Sequence, residues 1–96
     1  MPASTYPTRV GLRFRRRIVP AVPIELRGDQ ASVATVDLPQ ETEDVHLVLD
    51  WACGAVTELG ARVRLVENQS RVVSLDVHEV GGDWRPFLRY LGTLSN

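Results

Sequence analysis

Residues 39–60 read PQETEDVHLVLDWACGAVTELG, and the period assigned to this stretch decides the fold. Val45, Val48, Leu49, Ala52, Ala55, Val56 and Leu59 recur at spacings of three and four, the stripe of an amphipathic helix. Glu41, Glu43 and Asp44 stand at its start, where acids meet the positive end of a helix dipole, and Asp37 or Thr42 is placed to cap it. Gly60 supplies the stop, since a residue without Cβ enters the left-handed conformation that ends helices. The pattern predicts a helix over 39–60, with Leu47 and Trp51 off its main stripe.

On the N-terminal side the period changes to two. Val10, Leu12 and Phe14 alternate with Arg9, Arg13, Arg15 and Arg17, which predicts a strand with a core face and a cationic face. Arg16 breaks the alternation and marks a bulge or the end of pairing. Pro20 and Pro23 lack the N–H of a central strand and favour an edge or a bend. Ile24–Arg27 and Ala31–Leu38 flank the turn residues Gly28 and Asp29 and read as a hairpin.

On the C-terminal side, Val63 and Leu65 alternate with Arg62 and Arg64, and Val73, Leu75 and Val77 with Ser74, Asp76 and His78. This is a second hairpin, broken by Gly81 and Gly82. Asp83 then caps a short helix in which Trp84, Phe87, Leu88 and Leu91 share a face and Gly92 is the stop. The order βββαββα predicts an α+β fold, an open-faced two-layer sandwich with a largely antiparallel sheet of four or five strands and two helices on one face. Residues 7–92 form the single domain, between a flexible tail at 1–6 and a frayed one at 93–96.

The 96 residues are 44% apolar and 24% charged, an ordinary globular composition. A single cysteine, Cys53, excludes an intrachain disulfide, and the N-terminal residues carry no apolar run of signal-peptide length, so a cytoplasmic location is expected. No membrane association is expected. All eleven basic residues are arginine, a usage that suggests a bacterial chain of high genomic GC content. The net charge of −1 hides an asymmetry: residues 1–27 carry six arginines against Glu25, a net of +5, and residues 28–96 carry −6.

Four constellations invite a chemical reading. Arg13, Arg15 and Arg17, with Phe14 among them and Tyr6 nearby, have the elements of a nucleic-acid contact. The slightly acidic chain disfavours that, and arginines beside an edge strand also keep it soluble or meet a partner. His46 and Asp50, one helical turn apart, could orient an imidazole for base catalysis, but Cys53 stands seven residues and about 10 Å from His46 along such a helix, beyond hydrogen-bond reach. Asp76 and His78 share a strand face on which Arg64 sits nearby, a candidate site for a small ligand that lacks the third ligand of a zinc centre. Gly81, Gly82 and Asp83 precede a helix, yet an acid at the cap repels phosphate.

No catalytic residue, metal or cofactor is expected from these patterns. The reading is a small non-catalytic interaction or regulatory module, meeting a protein partner or itself as a homodimer through sheet edges or through Arg13, Arg15, Arg17, Arg62 and Arg64. The alternatives are a nucleic-acid-binding domain using 13–17 and a ligand-binding domain or enzyme using Asp76 and His78.

Overall fold

The computed structural model describes residues 6–94. Six antiparallel strands, β1 (Arg9–Phe14), β2 (Arg17–Leu26), β3 (Gln30–Thr35), β4 (Asp44–Asp50), β5 (Val56–Glu67) and β6 (Val72–Gly82), precede one helix, α1 (Arg85–Leu94). The sheet runs β1-β2-β3-β6-β5-β4, and β4 pairs back onto β1 to close a barrel. An open α+β sandwich with two helices is therefore not the fold. The closed sheet covers its own inner face, so no second helix is needed to bury it.

The difference originates in residues 39–60. Val45, Leu47, Leu49 and Trp51 are buried and the residues between them are not, a period of two that competes with the helical stripe over the same letters. The side chains that looked peripheral to a helix, Leu47 in β4 and Trp51 just after it, are buried. Val48 points outward and is half-buried. After Trp51 the chain turns rather than coils: the Gly54 N–H donates to the Trp51 carbonyl at 2.9 Å, and Gly54 holds φ at 89°. Gly60 ends no helix. It lies within β5, where a Cβ would come 3.2 Å from the Glu79 Cβ, so its absence admits the neighbouring strand.

Both expected hairpins form. The Arg27 N–H donates to the Gln30 carbonyl at 2.8 Å to close the β2–β3 turn around Gly28 and Asp29. Strands β5 and β6 pair from Thr57–Gly82 to Glu67–Val72, farther than the alternation alone suggested. At Arg16 pairing does end: Phe14 faces Arg17, and Arg15 and Arg16 form a two-residue turn with φ of 52° and 64°. β2 is not an edge strand, because it pairs with β1 on one side and β3 on the other. Pro23 sits beside the bulge that shifts the register before Glu25.

The core is one cluster inside the barrel, with Leu12, Val33, Leu47, Leu49, Leu59, Val63, Val73 and Leu75 essentially inaccessible. α1 starts as expected, with the Arg85 N–H donating to Asp83 Oδ1 at 3.2 Å. The Arg85 guanidinium grips the same carboxylate at 3.0 Å and holds its pKa below the ordinary value. The helix passes Gly92 and reaches Leu94, and it buries Phe87 and Tyr90 while Trp84 and Leu88 stay exposed. The N-terminal tail expected at 1–6 lies outside the described residues except for Tyr6, whose ring meets Tyr90 edge-on at 5.7 Å. Residues 95–96 of the C-terminal tail also lie outside them.

A buried polar relay fixes the helix to the barrel. Trp51 Nε1–H donates to Thr57 Oγ1 at 2.9 Å, and the Thr57 hydroxyl donates on to the Asp83 carbonyl. Trp51 and Phe87 flank Tyr90 at centroid distances of 6.1 and 6.5 Å. Thr57 is fully buried, so removing its hydroxyl strands the indole N–H.

Two outcomes follow in urea unfolding. Leu47→Ala costs about 2–5 kcal/mol and Val48→Ala under about 1.5 kcal/mol, the reverse of the order a helical stripe requires. Thr57→Val costs about 1–3 kcal/mol and increases hydrogen exchange in α1 before the strands open.

Candidate interaction surface

Each of the five arginines singled out in the sequence faces an acid of its own chain. Arg15 makes a two-pronged contact with Glu43, Nε to Oε2 at 3.1 Å and Nη2 to Oε1 at 3.0 Å, and Glu43 Oε1 also accepts the Gln40 N–H. Arg13 reaches Glu58 at 2.6 Å as a charge contact without hydrogen-bond geometry, and Arg17 lies 3.7 Å from Asp37. Both Arg15 and Arg17 lean over the Phe14 ring, at 5.7 and 5.8 Å. Arg62 contacts Asp44 at 3.2 Å, and Arg64 contacts Asp76 at 3.5 Å. A phosphate arriving at Arg13, Arg15 or Arg17 would have to displace a carboxylate.

The remaining candidates are dispersed. Asp76 spends its charge on Arg64, and His78 is the extra residue of a bulge between the Ala61–Val77 and Gly60–Glu79 pairs, exposed to solvent. His46 and Asp50 lie on strand β4 rather than on a helix, so four residues separate them by about 13 Å. Cys53 is exposed in the 51–55 turn. Among the described residues no group of three or more His, Cys, Asp or Glu is placed to hold a metal. Nor is any helix among them long and apolar enough to cross a membrane.

What sequence reasoning missed is an apolar face. In β2 the odd residues Val19 and Ala21 point into the barrel, while Ile18, Pro20, Val22 and Ile24 line its outside. Ala34 stands opposite Val22 on β3, Val72 stands beyond Ala34 on β6, and Val36 continues the face past the end of β3. Ile18, Val22, Ile24 and Val36 are 57–69% exposed. Together they present on the order of 400 Å² of apolar surface, the size of patch that on a monomer is often functional. A shallow cleft of about 380 Å³ runs between Pro20, Val22, Ala34, Thr35, Val36 and Arg71. The Arg71 guanidinium donates to the Val36 carbonyl at 2.9 Å and pins the cleft wall.

The signal was present in RIVPAVPIEL. A strand apolar at both parities is one covered on both sides, and here the barrel covers one. A smaller apolar strip lies at the helix, where Val80, Trp84 and Leu88 are exposed beside Phe87 and Leu91. No protein-family model, curated protein sequence or solved structure matches the chain.

The outer β2–β3 face contributes little to folding. At low micromolar protein, Val22→Glu and Val36→Glu each change the unfolding free energy by no more than about 0.5 kcal/mol, as surface substitutions do. Val33→Glu, one register step away but aimed inward, unfolds the barrel because it buries an unpaired charge.

Proposed function

We propose that the chain is a non-catalytic interaction module whose working surface is the outer face of β2 and β3. One observation carries the reading: β2 is apolar on both sides, and its outward side chains remain in water. Folding gains nothing from exposing them, whereas docking would remove that area from water at roughly 25 cal/mol per Å². At this scale the gross gain is about 10 kcal/mol, comparable with the ~4–15 kcal/mol that association costs, which suits a reversible contact.

Arg13 and Arg17 belong to the rim of this face rather than to its centre. Arg13 stands opposite Ile18, and Arg17 begins β2. Their partners Glu58 and Asp37 neutralise them there. A protein surface with an apolar centre and a paired polar border fits such a face; a polyanion has no unpaired cluster of these five arginines to grip.

Photo-crosslinking in the cell of origin tests the assignment. A benzophenone side chain placed at Val22 is expected to give discrete adducts, and the same group at Arg64, on the polar side of the barrel, to give none. Equal adducts at both positions, or none at Val22, would overturn it.

A further inference from the structure

We infer that the occupant of the β2–β3 face is a second copy of this chain, related by a two-fold axis passing near Val22. The inference rests on the reading of that face as an interaction surface and adds the identity of the partner. Its first support is electrostatic. A surface that meets itself must not repel itself, because in an isologous contact every charge returns from the other side. Along the border of this face Arg17 is matched by Asp37, Arg27 by Glu25 at 3.4 Å, and Arg13 by Glu58, and Arg71 is turned onto the Val36 carbonyl. Two of these pairs, Arg17–Asp37 and Arg13–Glu58, join the basic N-terminal part of the sequence to the acidic remainder. The three pairs give a strongly charged partner little to steer it and limit the repulsion between two identical faces.

The second support is area. Stable contacts bury about 800 Å² per partner. Ile18, Val22, Ile24 and Val36 supply on the order of half of that. Pro20, Ala34, Val72 and the stems of the bordering arginines lie around them to complete it. The third support is shape. Ile18, Val22, Ile24, Ala34 and Val36 belong to two adjacent strands of one twisted sheet, and two such faces interdigitate at about −30°, the aligned packing of sheets in sandwiches. In that arrangement the residue nearest the axis meets its own counterpart. Val22, paired with Ala34 at the middle of the patch, holds that position.

The test uses the whole chain. Light scattering after size exclusion is expected to give twice the 10.7 kDa chain mass at tens of micromolar protein. Val22→Glu and Val36→Glu should each weaken self-association at least about tenfold while circular dichroism stays unchanged. In a Cys53→Ser background, Val22→Cys should form an intermolecular disulfide under mild oxidation faster than Asp76→Cys does. A monomeric mass throughout, or a dimer indifferent to both glutamates, overturns the second-copy assignment. The Val22 photo-adduct separates the two levels of claim. An adduct of two chains supports the inference, an adduct of any other mass overturns it while leaving the face an interaction surface, and no adduct removes both.

Discussion

The pairing of β1 with β4 is the contact on which the rest depends. Five register pairs from Arg9–Asp50 to Arg13–His46 join the first strand to the fourth, and the Thr8 N–H extends the seam to the Asp50 carbonyl at 2.7 Å. Without this seam the sheet would be an open ribbon with one face needing a cover. With it, each of the six described strands has two neighbours in the sheet. Closure also settles where function can be. A barrel of six strands is too narrow to enclose a ligand, and leucines and valines fill its interior. Recognition must use the outside or the ends.

One end is taken by the helix. Phe87 and Tyr90 of α1 close against Trp51, and the Trp51–Thr57–Asp83 relay ties the turn after β4, the start of β5 and the cap of the helix to one hydroxyl. Burial raises the Tyr90 phenol's pKa above its usual value, in keeping with its place in this plug. The relay is local in space but joins residues 26 positions apart in sequence. It therefore stabilises the helix only once the barrel has formed.

The sequence disclosed the elements that short-range chemistry specifies. Gly28–Asp29 marked a turn, the alternation from Val63 to Val77 marked a hairpin, and Asp83 marked a helix start. Residues 39–60 were misread for a physical reason: in VHLVLDW the apolar residues outnumber the polar ones, so periods of 2 and 3.6 both find matches. The deciding facts are long-range. Gly60 is explained only by Glu79, and β4 becomes a strand because β1 and β5 lie on either side of it. Of the candidate site, the arginines were legible, but their acids were not, since Glu43, Glu58 and Asp37 reach them through closure and turn geometry. The apolar face was hidden by its prolines, which suggested punctuation where the chain continues as a strand.

Intrinsic strand propensity offers another explanation for valine and isoleucine on an outer face, since β-branched residues suit any pleated surface. The rest of the barrel argues against it. The outside of β4, β5 and β6 is mixed: His46, Asp50, Glu58, Arg62, Arg64, Ser74 and Asp76 lie there, and the exposed Val56, Leu65 and Val80 are spread along β5 and β6 rather than gathered in one row. Propensity acts on every strand alike, whereas the row of adjacent exposed apolar residues lies on β2, the end of β3 and Val72. The ion pairs around it carry the same asymmetry. Exposed pairs add only about 0–1 kcal/mol each to stability, so placing Asp37, Glu25 and Glu58 beside three bordering arginines does little for the fold. Its larger effect is to balance those three charges, and paired charges around an apolar centre are a property that matters when two protein surfaces meet.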